Sequence, residues 1–163
     1  MEGIKIRSRN MIYLKEYNNY DNEVNEICKK YGIDNWSIRD GLVDVDGDVD
    51  LIGRGLNKSP LKFGRVSGNF YFSDNKLTTL EGSPKEVGEG FSCVYNKLTT
   101  LEYMPNIRGY ININYNPLPE EILNLNLEKL KKVIYEQDFY EIWRDGKLFE
   151  PRWKELKIDL GIN

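Results

Sequence analysis

The heptapeptide Asn-Lys-Leu-Thr-Thr-Leu-Glu occupies residues 75–81 and returns unchanged at residues 96–102, which defines a period of 21 residues. The same spacing relates Phe70 to Phe91, so the repeat extends beyond its identical part. A fixed period of this length indicates stacked structural units, because one short unit cannot bury its apolar face alone. The tract therefore predicts a solenoid in which corresponding residues lie side by side.

The repeat continues in both directions from this tract. Val49 lies 21 residues before Phe70, so a divergent first unit covers about residues 43–65. Toward the C terminus the spacing shortens to 20 residues and carries the pattern to residue 118. Leucines at set offsets around an asparagine are typical of leucine-rich repeats. The sequence predicts an α/β solenoid with four leucine-rich repeats over residues 43–118 and parallel strands.

In the last three repeats an asparagine follows the predicted strand, at positions 75, 96 and 116. We expect the asparagine amide to bond backbone groups where the chain turns, because the turn breaks the regular ladder of hydrogen bonds. Leu77 and Leu80 are predicted to point into the interior. Pro84 and Pro105 favour an extended return path over a helix.

Two flanking segments are predicted to cover the ends of the stack, because terminal repeats cannot be left exposed. Residues 1–42 form an N-terminal cap with one helix over residues 21–32, whose apolar face carries Val24 and Cys28. The alternation around Ile4 predicts a short edge strand in the same segment.

Residues 119–163 are predicted to form a helical C-terminal cap. Helices are expected over residues 127–137, after Asp138 and from Pro151 onward. An alternative interpretation makes this segment a separate interaction module that is built on Trp143 and Trp153.

The composition argues against several classes of function. A net charge of −3 and a pI near 5.2 give no electrostatic footprint for nucleic acid, and no apolar run is long enough for a membrane span. The chain contains no histidine, the commonest general base and metal ligand. Cys28 and Cys93 are predicted to be packed, reduced thiols. We expect a cytoplasmic protein without catalytic residues, cofactor or bound metal.

Strand residues that alternate with the buried ones are predicted to face the concave side of the solenoid. This side becomes rich in tyrosine toward the later repeats, and tyrosine combines a large contact area with a polar tip, which suits a protein partner. The predicted partner-binding residues are Asp48, Asp50, Asn69, Tyr71, Ser73, Asp74, Ser92, Val94, Tyr95, Tyr110, Asn112, Asn114 and Tyr115. Convex loops and the helical caps are the alternative surfaces, and exposed strand positions also tolerate such residues without any binding role.

A run of alternating aspartates at positions 44, 46, 48 and 50 suggests a calcium site. A calcium-binding loop needs a glycine at its sixth position and a carboxylate at its twelfth, whereas here Gly47 is fourth and Gly55 is twelfth. The aspartates are therefore predicted to form one solvated face of a strand that runs from Val43 to Leu51.

The pattern Asn-x-Leu-x-x-Leu-x-x-x-Pro-x-x-Val-x-x-x-Phe-x-Cys-x-x-Asn over residues 75–96 resembles the bacterial type of leucine-rich repeat found in secreted effectors of pathogens. It departs from that type by one extra residue near Gly90 and by Leu80-Glu81 in place of a Leu-Pro pair. We expect no ubiquitin-ligase domain after the repeats, so that activity is not carried over. The stretches 43–49 and 80–88 are more similar to small repeat proteins of tailed phages and mobile elements.

This resemblance covers residues 40–118 and implies a binding scaffold. In a phage or mobile-element setting it implies a protein that binds a bacterial host protein, such as a defence component, and inhibits or modulates it in the host cytoplasm. A minor virion or assembly component is the alternative, and an enzyme is a third. The resemblance does not identify the partner or the oligomeric state.

Overall fold

Corresponding residues of the repeat lie side by side in a β-solenoid of about three turns. The computed structural model describes residues 19–162. The helices of this part of the chain are α1 (residues 19–31), α2 (Glu120–Leu123), α3 (Leu127–Tyr140) and α4 (Glu150–Leu160). The strands are β1 (Trp36–Arg39), β2 (Leu42–Val45), β3 (Val49–Asp50), β4 (Phe63–Val66), β5 (Phe70–Tyr71), β6 (Glu86–Val87), β7 (Phe91–Ser92), β8 (Asn106–Ile107), β9 (Ile111–Asn112), β10 (Trp143–Arg144) and β11 (Lys147–Leu148).

The solenoid strands form two sheets. Sheet A has the order β1-β2-β4-β6-β8 and sheet B the order β3-β5-β7-β9. All neighbours are parallel except β1 and β2, which form an antiparallel hairpin at one edge of sheet A. In sheet B, Phe70 is in register with Phe91 and Phe91 with Ile111. The predicted period and the parallel strands are thus confirmed.

The tract from Val43 to Leu51 is not one strand, so this prediction was wrong. The chain bends between β2 and β3, and Gly47 adopts a φ of 137°, a conformation that favours glycine. At the bend, the Gly47 N–H donates to Ser67 Oγ at 2.8 Å. Each repeat therefore contributes a strand to both sheets, where the sequence predicted one strand per unit.

Aromatic and aliphatic side chains fill the interior between the sheets. The Phe70 ring stacks on Phe91 with centroids 5.8 Å apart and meets the edges of Phe63 and Phe72 at 5.2 Å and 5.4 Å. Leucines on the segments that lead from one turn to the next close the remaining side of the interior. All of these side chains are buried. Edge-to-face and offset stacks add favourable energy to the area that the rings bury. The inward positions of the repeat are therefore packing positions.

A ladder of buried asparagines links successive turns. Asn96 Nδ2 donates to the carbonyls of Phe72 and Cys93 at 2.9 Å and 3.0 Å, and its Oδ1 accepts from the Leu77 N–H at 3.0 Å. Asn75 and Asn116 repeat this arrangement in the neighbouring turns. The predicted role of the asparagine amides is confirmed, and each amide also bonds to the preceding turn.

Helix α1 and the β1–β2 hairpin lie beside the first turn. Val24 and Cys28 of the helix are buried in the same hydrophobic cluster as the solenoid interior. The Tyr20 hydroxyl donates to the carbonyl of Gly41 at 2.9 Å, in the turn of the hairpin. The strand predicted around Ile4 lies outside the described residues.

Helix α3 lies beside the last turns. Gln137 Nε2 donates to the carbonyl of Leu101 at 2.9 Å, and its Oε1 accepts from Trp143 Nε1 at 2.7 Å. Trp143 and Trp153 are buried in the cluster that also contains the solenoid core. The buried Gln137 amide therefore has a partner for its nitrogen and for its oxygen, and it joins the C-terminal segment to the repeats. Within residues 19–162, no helix has both the length and the apolar character that a membrane crossing requires.

The C-terminal helices differ from the prediction in one respect. Helix α3 continues through Asp138 and ends where Glu141 adopts a left-handed φ of 49°. The chain then forms the β10–β11 hairpin, so Trp143 lies in a strand and not in a short helix. Phe139, which follows Asp138 within α3, is 80% exposed.

Candidate functional site

The outward side of sheet B presents the residues that the sequence predicted for partner binding. Asp50 is in register with Tyr71, Tyr71 with Ser92, and Ser92 with Asn112, so residues one period apart form columns across the sheet. Every predicted residue is exposed or half-buried except Ser73. We call these residues without Ser73, together with Glu89, the sheet B surface.

Ser73 is 5% exposed and is not available to a partner, so this prediction was wrong. Its hydroxyl lies 2.9 Å from the Ser92 hydroxyl, and its carbonyl accepts from Asn75 Nδ2 at 3.0 Å. Strand alternation ends at β5, where the chain turns and both Phe72 and Ser73 are covered. Ser73 is therefore part of the turn.

The first column of the sheet B surface is bonded from one turn to the next. Asp48 Oδ1 accepts from the Asn69 N–H at 2.6 Å, and Asn69 Oδ1 accepts from the Gly90 N–H at 2.9 Å. Asn69 Nδ2 also donates to Glu89 Oε2 at 2.7 Å. Glu89 was not predicted as part of this surface, because the equivalent positions of the repeats before and after it carry no carboxylate.

The Tyr110 ring lies directly over Gly90. A Cβ atom on Gly90 would lie 2.0 Å from Tyr110 Cε1, so only glycine leaves room for this ring. Desolvation, a hydrogen bond with Tyr71 and the negative charges of Asp48 and Glu89 raise the pKa of Tyr110 to about 12. The tyrosine is therefore neutral at physiological pH and keeps its hydroxyl proton.

The last column contains Gly53, Asp74, Tyr95 and Tyr115, which all adopt a left-handed backbone with φ between 55° and 65°. The Tyr95 and Tyr115 rings stack with centroids 4.3 Å apart and an interplanar angle of 6°. Tyr95 is 52% exposed and Tyr115 is 67% exposed. This conformation is costly for a bulky side chain, and such outliers concentrate at functional sites.

Within residues 19–162, no lysine or arginine forms an ion pair with a carboxylate of the sheet B surface. In the described residues, the ion pairs lie elsewhere, and none includes Asp48, Asp50 or Asp74. No lysine or arginine belongs to the surface itself. Lysine and arginine side chains also cover rings elsewhere in this part of the chain, but not Tyr95 or Tyr115.

The aspartate run bonds to the next turn of the chain. Asp44 Oδ1 accepts from the Arg65 N–H at 2.7 Å, and Asp46 Oδ1 accepts from the Ser67 hydroxyl at 2.8 Å. Desolvation alone would raise the pKa of Asp44, but hydrogen bonds from Arg65 and the Arg39 guanidinium hold it below its usual value. Between residues 19 and 162, no group of three or more metal-ligating side chains is placed to hold an ion. The chain bends at Gly47 between β2 and β3, so the prediction that the aspartates share one strand face was wrong.

Both cysteines are packed thiols, as the sequence predicts. Cys93 lies among the interior side chains, and burial raises its pKa to about 12. Burial also raises the pKa of Cys28 to about 11. A buried thiol with a raised pKa is a poor nucleophile because the thiolate is the reactive form.

A second surface lies between α3 and the solenoid. Tyr103 and Tyr135 line a groove of about 500 Å³ there, and they are 60% and 72% exposed. Phe139 lies one helical turn beyond Tyr135 and is also exposed. The sequence signal was the spacing of Tyr135 and Phe139, which lie at i and i+4 on α3.

Comparisons with protein-family models, curated proteins and solved structures give no significant match for the chain.

Proposed function

We propose that the chain is a non-catalytic protein-binding scaffold that presents the sheet B surface to a protein partner. In this proposal the repeats are leucine-rich repeats of the bacterial type. Helix α1 and the C-terminal helices cap the two ends of the stack, because they bury apolar side chains against its first and last turns.

One observation carries the proposal: the exposed stack of Tyr95 and Tyr115 on left-handed backbone. Gly53 occupies the equivalent position in the first repeat, so the fold itself accepts the residue that avoids this conformational cost. The backbone therefore does not require tyrosine at this position, and the contacts of the tyrosine side chain explain its presence better. Aromatic side chains on a rigid scaffold are frequent anchors of protein interfaces.

The proposed partner is a bacterial host protein, and the proposed setting is a phage or mobile element that acts in the host cytoplasm. Binding to the rigid sheet would inhibit or modulate the host protein by occupying its surface. This part of the proposal rests on the resemblance of residues 40–118 to small repeat proteins of phages and mobile elements.

The test is a quantitative affinity capture from bacterial lysate with three versions of the protein. One is wild type, one carries Tyr71→Ala, Tyr95→Ala and Tyr115→Ala, and the matched control carries Tyr103→Ala and Tyr135→Ala in the groove beside α3. We expect the wild type and the control to enrich the same protein, and the first variant to lose it. Circular dichroism melts establish that each variant is folded.

Retention of that protein by the folded sheet B variant would refute the proposal. Loss in the groove control alone would move the binding surface to the groove beside α3.

A further inference from the structure

One column of the sheet B surface combines an aromatic ring face with a carboxylate, an arrangement suited to a flat, positively charged side chain. This inference rests on the proposed function. Tyr95 stacks on Tyr115 through one ring face. Its other ring face looks toward the preceding turn, where Asp74 holds the equivalent position. Parallel strands are about 4.8 Å apart, so the two side chains are neighbours along the column. Desolvation, Tyr115 and the negative charge of Asp74 together raise the pKa of Tyr95.

The space beside Asp74 is open on its far side. Gly53 precedes it in the column and has no side chain, and a Cβ there would meet no atom within 4 Å. Asp74 is exposed and accepts no hydrogen bond from the described residues. The column therefore offers an aromatic ring face and an exposed carboxylate that has no partner within residues 19–162.

The neighbouring columns extend the same charge. Asp48 and Asp50 use one carboxylate oxygen each for backbone N–H groups, which leaves the second oxygen of each free among the described residues. Glu89 adds a further carboxylate at the edge of the first column. No cation of the surface itself offsets these charges.

We propose that the sheet B surface binds an arginine-rich segment of a partner protein, with one guanidinium stacked on Tyr95 and paired with Asp74. A guanidinium is planar, stacks on aromatic rings and bonds carboxylates through two N–H groups at once. Further basic side chains of the same segment meet Asp48 and Asp50. Lysine lacks the flat face that the tyrosine ring accepts.

The experiment uses the whole protein and three synthetic peptides of equal length: oligo-arginine, oligo-lysine and a serine–glycine peptide. Isothermal titration calorimetry at physiological salt measures each affinity. We expect oligo-arginine to bind about fivefold more tightly than oligo-lysine. The serine–glycine peptide does not bind.

Four single variants locate the binding. Asp74→Asn and Tyr95→Leu each weaken oligo-arginine binding about fivefold, while Tyr95→Phe keeps the ring and stays within about twofold of wild type. Asp138→Asn is the charge-matched control on α3 and also stays within about twofold, because salt screens distant exposed charges. All variants are compared with wild type by melting temperature.

Equal weakening by Asp138→Asn and Asp74→Asn would overturn the inference, since binding would then follow net charge alone. Equal affinity for oligo-lysine, or preferential binding of the serine–glycine peptide, would overturn it as well. If oligo-arginine does not bind as expected but the lysate still yields a partner whose capture requires the tyrosines, the proposed function stands and the partner is not basic. Loss of both would remove the sheet B surface as a binding site.

Discussion

The side-chain amide of Asn96 donates to the carbonyl of Phe72, 24 residues earlier in the chain, at 2.9 Å. The two residues belong to successive turns, and both are buried. The same amide also bonds within its own turn, so one side chain satisfies backbone groups on two levels of the stack. Its Oδ1 accepts from the buried Leu77 N–H, which has no other partner among the described residues, so loss of Asn96 leaves that N–H unpaired.

Asn96→Ala is expected to lower the free energy of unfolding by about 2 kcal/mol, because the buried Leu77 N–H loses its partner. The carbonyls of Phe72 and Cys93 each lose one of two bonds and keep those from Asn75 and Asn116. Asn114→Ala is the control, since Asn114 is exposed, and its effect stays within about 0.5 kcal/mol. Urea denaturation of both variants measures the difference. Equal stabilities would show that the ladder does not hold the turns together.

Gly88→Ala is expected to lower the free energy of unfolding by about 2–3 kcal/mol. A Cβ atom at this position would lie 2.0 Å from the carbonyl oxygen of Ser67, so the backbone of one turn would have to move away from the next. Gly55→Ala is the matched control, because its φ of 68° makes alanine unfavourable but no atom lies within 4 Å. This variant costs about 1 kcal/mol.

Thermal and chemical denaturation of the two glycine variants compares two costs: the contact of a Cβ atom with the neighbouring turn at Gly88, and the left-handed φ at Gly55. If Gly55→Ala proved the more destabilising, the contact between the turns at Gly88 would not limit the choice of residue there.

Asp44→Asn is expected to destabilise the protein by about 1 kcal/mol at neutral pH, because the charged acceptor of the Arg65 N–H and the Arg39 guanidinium is lost. The pKa of Asp44 is lowered in the folded state. Its contribution is therefore present above the ordinary carboxyl pKa and disappears as the pH falls through the folded value. The stability gap between wild type and variant should close at acid pH.

Denaturation curves recorded at several pH values check this behaviour, with the exposed Asp34→Asn as control. A gap that stays constant down to the acid limit would show that the charge of Asp44 does not contribute to stability.

Cys93→Val is expected to remove part of the alkaline sensitivity of the fold. The thiol ionises near pH 9 when unfolded, but burial raises its folded pKa to about 12. Stability is therefore complete below pH 9 and falls as the pH rises toward the folded value, by about 1.4 kcal/mol per pH unit. Valine fills a similar volume and carries no proton to lose.

The measurement is urea denaturation at about pH 8 and about pH 10. Tyrosine starts to ionise toward about pH 10, but wild type and variant carry the same tyrosines, so this effect cancels in the difference between them. Wild type should lose about 1.4 kcal/mol more than Cys93→Val over this interval. Cys28→Val serves as comparison, because that thiol has a folded pKa of about 11. Identical losses in wild type and Cys93→Val would contradict the prediction.

The repeat period predicted the register of the solenoid because the packing itself is periodic. Residues one period apart, such as Phe70 and Phe91, occupy the same position on successive turns and stack directly. The asparagines could be assigned for the same reason: a polar residue that recurs between apolar ones needs a backbone partner. Both inferences follow from spacing and residue type alone.

The corners could not be predicted in this way. The alternation from Val43 to Leu51 continues unbroken through Gly47, so the pattern gave no sign that the chain bends there. Ser73 is small and polar, and its residue type fits an exposed strand position as well as a covered turn. Asp138 is a good helix cap, but the packing of α3 against the solenoid keeps the helix continuous through it.

In the candidate site, too, some features followed from the repeat period and others did not. The columns followed from the period, whereas the tyrosine stack and the backbone conformation beneath it depend on how the chain leaves each strand. Glu89 was missed because its neighbours in the column, Gly68 and Gly109, are glycines that approach the adjacent backbone closely. Close backbone contacts of this kind are set by three-dimensional spacing.

The asparagine ladder has an evolutionary consequence. Each amide reaches only its own turn and the one before it, so no bond of the ladder depends on the total number of turns. A tandem duplication of residues 76–96 would insert one more rung with every such bond intact. The identical heptapeptides at 75–81 and 96–102 are what a recent duplication of this kind leaves behind. Each such event would also lengthen the tyrosine column by one ring, at a spacing of about 4.8 Å.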